Sequence, residues 1–547
     1  MKTLIKSSMW LVAAGLLTAC ASEDTQQKDE TKQSETKYVA TFTGHQPNSN
    51  SSAKSRTTAT HTIGNPAHVF WEPTDKIWIK ADNNTFYQSS TAQFYPITPI
   101  DRSTATFVLY SGLYTKPNTE VRYMNWYLTT PNTVVIDKLQ RQYTPNDFSH
   151  LGAAGDCGTA TATGSNGSYK FTLQHKASYL CFLPRCTNAA LNPNIKLTRI
   201  MVEADKPIAG SYDFSDGTLM GKTPTNDSKY ITLETSSGGN TGFLLNTTTD
   251  IAMNGAYMVI APGTYNLTIS YILFDPNTFG SAVITKKLTD FTCPEGQIKD
   301  ITADITPVTN VPEAKYYMWD AKQHYWWGHE SEQPLEEGGS SPSYPQSKAA
   351  DPERWYNDYY PGKNIRNDAQ TELFKTLPNV NELVWYVMKG DPHWEQPRNY
   401  TRVSGGHIYT VTLGGMWFRK KRAIVAYLKA NEGYPASFTE NDLKEGYKTS
   451  ASAAPVDYRV IAHGATNTPI GGRPTNVDDY FYLPALGQCG TNGRLDNYGG
   501  NYGIGYYWSS SGYPNWVASA YHLSFHQYDV TVNGQARYDG KIAVPFE

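Results

Sequence analysis

Short runs in which apolar and polar residues alternate recur along the chain at a spacing of roughly ten residues, set apart by turn formers. Residues 38–43 alternate with period two, and a polar loop follows at 48–56. A second strand approach ends in Val69-Phe70-Trp71. Glu72-Pro73-Thr74-Asp75 then turns the chain into a segment where Ile77 and Ile79 share one face. Residues 105–110 and 121–126 continue the series. Such a succession predicts antiparallel sandwiches rather than a βαβ fold. Residues 256–261 form a near-continuous apolar strand, Pro262-Gly263 turns the chain, and residues 265–274 alternate back as its expected hairpin partner. Residues 297–305 are a last alternating strand, and a linker without hydrophobic pattern follows at 309–314.

Beyond the linker aromatic residues become denser. Residues 368–377 predict a short helix with Asp368 as N-cap and Pro378 past its end, and residues 381–390 a second apolar strand or helix. The basic cluster at 415–422 reads as a solvated face. A glycine- and asparagine-rich loop at 490–505 precedes three further segments, 505–511, 519–525 and 537–544.

The first 37 residues follow different rules. Lys2 and Lys6 precede a short apolar core at 9–17, and Leu17-Thr18-Ala19-Cys20 follows at once. That is a secretory signal over residues 1–19, too short to span a bilayer. Small residues before a cysteine make a lipobox, so Cys20 is the expected lipidation site, and several acyl chains at one residue anchor stably. The acidic stretch after Cys20 resembles the export signal of lipoproteins shown on the outer face of the outer membrane. Residues 20–37 are almost wholly polar and predict a disordered tether.

Composition sharpens this outline. The chain has 547 residues, room for about three or four domains. Its 47 basic and 50 acidic residues leave no basic face for nucleic acid. With 43 glycines and 32 prolines, long helices are excluded, and a mainly β secreted protein is expected. Once Cys20 is set aside, five cysteines remain, an odd and sparse set that makes no disulfide framework. The spacing of Cys181 and Cys186 does not suit zinc, leaving a local disulfide or two free thiols. His324 and His329 share neither a helix face nor a strand face. No metal and no cofactor are expected.

Several motifs in sequence carry a family resemblance. Arg56-Thr57-Thr58, then Phe70-Trp71-Glu72 running into Asp75-Lys76-Ile77-Trp78-Ile79, is similar to the opening of fimbrillins, the type V pilus subunits. Residues 169–177 resemble the strand that closes that family's first sandwich. Pro207-Ile208-Ala209-Gly210 and the Ala261-Pro262-Gly263-Thr264-Tyr265 turn hold the order expected in its second. The resemblance implies two tandem transthyretin-like β-sandwiches, at 38–175 and 176–308. It also implies assembly with other pilus subunits by strand addition, after an arginine- or lysine-specific protease removes the N-terminal strand. The expected cut follows Arg56.

Residues 315–547, and most clearly 480–547, resemble an α+β C-type-lectin-like domain recurrent in bacterial surface lipoproteins. Glu395-Gln396-Pro397-Arg398-Asn399 resembles the calcium-binding motif of true lectins, but Arg398 stands where a hard cation needs an oxygen. Calcium is therefore not expected. Tyr498, Tyr502, Tyr506, Tyr513 and Trp516, in or beside the flexible loop, are the candidate ligand-binding residues, since planar rings stack on sugars and anchor interfaces. Filling a small aromatic core is the competing role for the same rings.

None of the common catalytic signatures is present, neither nucleophile elbow, paired zinc histidines nor phosphate loop. No enzyme is expected. The resulting expectation is a surface-exposed fimbrial subunit, a tip adhesin that attaches to a host or bacterial surface glycan or protein through its third domain. The alternative is a stand-alone cell-surface glycan-binding lipoprotein.

Overall fold

The computed structural model describes residues 39–47, 59–95, 102–125, 127–239 and 241–547. The expected signal, tether, Cys20 and Arg56 lie outside them. The fold is mainly β, with 40% of residues in strands and 10% in helices. Among the described residues no helix is long and apolar enough to cross a membrane.

The first unit is one sheet that closes on itself. Its strand order is 86–88, 77–80, 118–123, 158–165, 168–172, 40–45, 104–109. Ser90 N–H donates to Val108 O at 2.8 Å, and Gln93 and Thr106 exchange backbone bonds, so chain following the first edge strand covers the last. The strict alternation at Ala40–His45 and Ile77–Lys80 sends Ala40, Phe42, Ile77 and Ile79 into one core around Trp71, Phe107 and Phe171.

The second unit has two main layers. One is a three-stranded sheet in which Ser178–Arg185 lies between Ala256–Ile260 and Ile298–Asp304. The other runs Gly280–Cys293, Gly263–Asp275, Lys196–Ala204, Tyr230–Glu234, Leu139–Arg141. Every residue of Ala256–Ile260 is buried, as its unbroken apolar run requires. Its expected hairpin with the following strand does not form. Gly263–Asp275 pairs with Gly280–Cys293 and Lys196–Ala204 instead. Pro262-Gly263 carries the chain from one layer to the other, which lets the alternating strand cover the core from the opposite side.

The expected boundary between residues 175 and 176 does not divide the sheets. Thr133–Ile136 pairs with Ala209–Asp213, and Leu139–Arg141 pairs with Tyr230–Glu234. Met124, Val134, Ile136, Phe148 and Leu151 belong to the second core. The second unit thus supplies both the strand edges and the apolar core that satisfy this stretch.

The third unit mixes strands and helices. Gly505–Gly512, Ser519–Phe525 and Val530–Ala536 are adjacent in a six-stranded sheet, and the hairpin of His393–Ser404 with His407–Arg419 dominates a four-stranded one. The helix Val380–Lys389 packs between them, buried from Val380 to Val387. Asn379 and Glu382 form its capping box. The ten-residue helix expected at 368–377 shrinks to one turn, Glu372–Lys375, preceded by Thr371, whose hydroxyl donates to Asp320 at 2.6 Å. Asp368 is drawn away into a bridge with Ser511.

The stretch expected as a linker is docked. Asn310 N–H donates to Thr401 O at 2.9 Å, and Thr401 N–H returns a bond to the Asn310 side chain at 2.6 Å. The tip of the long hairpin enters the second unit, where Ile408 is fully buried in that unit's core.

Candidate functional site

Two regions bear on function, the aromatic loop of the third unit and the start of the chain. Of the four aromatic candidates whose side chains are described, one is free. Trp516 is 66% exposed, with Val517 beside it at 50%. Tyr498 packs against the third unit's core, its hydroxyl 3.4 Å from the Arg402 guanidinium. Tyr506 is half-buried. Its hydroxyl accepts from Asn497 at 3.2 Å, Lys541 Nζ lies 5.3 Å from its ring centre, and burial pushes its ionisation up to about 12. Tyr513 lies tilted on Tyr521 with ring centres 4.8 Å apart. It also covers Gly534 so closely that a Cβ there would meet its ring at 2.3 Å. The side chain of Tyr502 lies outside the described residues. The loop's aromatics are therefore divided. Tyr498, Tyr506 and Tyr513 brace it, and Trp516 is presented at the turn between Gly505–Gly512 and Ser519–Phe525.

Beneath the loop sits a buried cation. Lys541 Nζ donates to Gln488 at 2.6 Å and to Asp539 at 3.1 Å, and lies 4.9 Å from the Trp508 ring centre. Lys541–Ile542 pairs with Tyr316–Tyr317, and Ile542 pairs with Tyr507. Lys541–Ile542 is thus used inside its own unit.

The lectin-like proline motif is occupied by other work. Glu395 Oε2 accepts from the Trp417 indole at 2.6 Å, and Asn399 Oδ1 accepts from Thr412 at 2.9 Å. Arg398 donates to the Tyr400 hydroxyl at 2.6 Å and lies over the Tyr400 and Tyr482 rings. His324 and His329 each face a separate carboxylate, Glu330 and Glu332.

At the other end, Ala40–His45 is a central strand although it comes first in the described chain. It runs antiparallel to Thr104–Leu109 and parallel to Ser168–Thr172. Phe42 stacks on Tyr169 with ring centres 4.8 Å apart and meets Tyr114 edge-on at 5.5 Å. Gly44 must be small, since a Cβ would lie 2.4 Å from the Phe171 ring. The Trp71 indole donates to Gly44 O at 3.0 Å.

Between the first two units lies a cavity of about 920 Å3, lined by Asp75, Tyr123, Asp156, His175 and Asp300 among others. Burial raises Asp75 to about 7, although it accepts from Glu72 N–H and the Tyr123 hydroxyl. Burial also opposes charge on His175, but the Asp156 carboxylate 2.8 Å away raises its affinity for a proton overall.

One group of side chains escaped sequence reasoning. His61, Cys181 and Asp300 bring three possible ligand atoms within 4.8 Å of one another. Cys181 and Cys186 are both free thiols, and the partners of Cys181 lie in distant segments. Only the parallel register of Cys181 with Asp300 brings the pair together. No local spacing signals it.

No protein-family profile matches this chain. No curated protein matches it either. Among solved structures it is similar to a provisionally assigned cell adhesion protein from Bacteroides ovatus, at 12% identity and a TM-score of 0.30, over 49% of this chain and 93% of the other. It is also similar to the fimbrial anchor protein Mfa2 from Porphyromonas gingivalis, at 9% identity and a TM-score of 0.21, over 46% and 82%. A fimbrial protein from Bacteroides ovatus aligns over 91% of this chain and 99% of its own, at 10% identity and a TM-score of 0.24. At these scores the likenesses do not by themselves establish a common fold.

Proposed function

We propose that this chain is a surface-exposed subunit of a fimbrillin-type pilus, lipid-anchored at Cys20 during export to the outer membrane, and that it serves as the tip adhesin. The observation that carries the reading is the placement of Ala40–His45. It is a short strand at the start of the described chain, paired on both sides, with Phe42 driven into the core. Cleavage after Arg56 would leave this strand held only by noncovalent contacts. Its departure would open a groove with unpaired backbone on both walls and an apolar slot between Tyr169 and Tyr114. Such a groove accepts an extended strand from another subunit by β-augmentation.

The pairing of Lys541–Ile542 supports the tip assignment. Lys541–Ile542 is paired inside the third unit, and Phe546 is buried in its core. A strand already committed there is not available for donation. A subunit that keeps this strand inside its own unit while receiving a neighbour's strand would fit the end of a polymer. Recognition falls to the third, lectin-like unit, where the Trp516 turn faces solvent as a platform for a glycan or a surface protein.

Sheared and purified pili provide the test. The chain should be found in them with Thr57 as its N-terminus, and antibody should mark the pilus ends. Recovery of the chain only from membranes, with its tether intact, would instead support a stand-alone lipoprotein.

A further inference from the structure

We propose that His61, Cys181 and Asp300 form a binding site for a transition-metal ion of the zinc class, one that ties the segment after Arg56 to the second unit. Three observations converge on it. Cys181 and Asp300 are directly paired across the parallel strands Ser178–Arg185 and Ile298–Asp304, so both side chains leave the sheet on the same face. His61 lies over that face, with Nε2 2.6 Å from Asp300 Oδ1. All three candidate ligand atoms fall within 4.8 Å of one another, and His61 and Cys181 are buried.

The donor set has a chemical logic. Nitrogen, thiolate sulfur and carboxylate oxygen together suit a borderline-soft ion such as zinc and suit calcium or magnesium poorly. One thiolate and one carboxylate also balance a divalent charge, so the loaded site is neutral beside the buried His61 and Cys181. Tetrahedral zinc with ordinary bond lengths holds its donors about 3.3–3.7 Å apart. Reaching that geometry needs shifts of about an ångström from the present one. On binding, the Cys181 thiol gives up its proton to solvent, and His61 binds through an unprotonated Nε2 with its ring proton on Nδ1. A fourth position is accessible, because Asp300 and the neighbouring Gly64 and Asn65 line the large cavity.

The site also has a supporting frame. Asp300 Oδ2 accepts from Gly64 N–H at 2.7 Å, which fixes the carboxylate. On its other side Cys181 is paired with Tyr257 across the antiparallel strand Ala256–Ile260. His61 Nδ1 is buried and has no partner. The hairpin of Ala59–Thr60 with His68–Val69 is short, and a metal at its root would hold it to the edge strand Ile298–Asp304. This proposal does not depend on pilus assembly.

The experiment uses the untagged full chain, stripped of metal and then loaded with Zn2+ or Co2+. Elemental analysis after dialysis should find one zinc per chain. The cobalt form should show intense tetrahedral visible bands and a thiolate-to-cobalt charge-transfer band in the near ultraviolet. Cys181→Ala should abolish the charge-transfer band, whereas Cys293→Ala should keep it. His61→Gln should weaken zinc binding by about 10-fold or more. If Cys181→Ala melts abnormally, His61→Gln decides the matter, since its side chain comes from the peripheral hairpin. Absence of stoichiometric metal in the parent chain overturns the proposal. So does a charge-transfer band that survives Cys181→Ala, or unchanged zinc affinity in a folded His61→Gln variant.

Discussion

His407, at the tip of the third unit's long hairpin, meets the fully buried carboxylate of Asp275 in the second unit, with Nδ1 2.9 Å from Oδ2. Ile408 N–H donates to the same oxygen at 3.3 Å, and the Ile408 side chain is buried in the second core. The two units are therefore joined through a socket as well as through the chain. Truncation after residue 308 uncovers this socket.

Ile408→Ala should destabilise the full chain by about 2–5 kcal/mol, the usual cost of emptying a buried aliphatic position. A fragment ending at residue 308 should melt lower than the same region in the full chain. Calorimetry on both proteins tests this, and equal melting of the second unit in each would show that the socket contributes nothing.

Asp75 and His150 should give stability opposite slopes with pH. Burial raises Asp75 to about 7, so between its unfolded value of 3.8 and 7 the folded chain holds the extra proton. Its contribution is favourable below about 4 and is lost as pH rises to about 7. Burial lowers His150 to about 4 from 6.5. There the unfolded chain holds the extra proton, and stability falls as pH drops from about 6.5 to about 4. The advantage of Asp75→Asn over the parent should grow from pH 4 to 7, and His150→Gln should flatten the acid limb. Melting curves across that range decide it; a difference that does not change with pH would remove the assignment.

Trp516 and Tyr513 should separate binding from folding. Trp516→Ala, at an exposed site, should leave stability within about 0.5 kcal/mol and weaken adhesion to the ligand by about 1–3 kcal/mol. Tyr513→Ala should cost about 1–3 kcal/mol of stability, because its ring fills the space over Gly534. Glycan-array or cell-adhesion assays beside thermal melts test the pair. Full adhesion by Trp516→Ala would move the contact surface elsewhere.

Lys541→Met should destabilise the third unit by about 3–5 kcal/mol, since it leaves the Asp539 carboxylate without its partner. Adding Asp539→Asn should recover part of that loss. Chemical denaturation of the single and double variants provides the cycle, and additive effects would show that the two side chains are not coupled.

Local pattern alone was enough for the strands at Ala40–His45 and Ile77–Lys80, because alternation with period two is imposed by the pleat and visible within a few residues. The apolar stretch near residue 381 remained open between strand and helix, since a fully buried segment loses its periodicity. Packing made it the helix Val380–Lys389. Which strands pair was decided by the tertiary structure. Ala256–Ile260 and Gly263–Asp275 are neighbours in the chain yet lie in different sheets, because each needed the other layer to bury its apolar face. The same holds for the aromatic residues of the third unit. Tyrosine and tryptophan suit a core as well as a binding surface, and only the positions of Gly534, Asn497 and Arg402 assigned Tyr513, Tyr506 and Tyr498 to support and left Trp516 exposed. His61, Cys181 and Asp300 show the limit most clearly. Each is unremarkable where it stands in the sequence, and their chemistry arises from a parallel strand register and an overlying hairpin, neither of which is encoded in any local spacing.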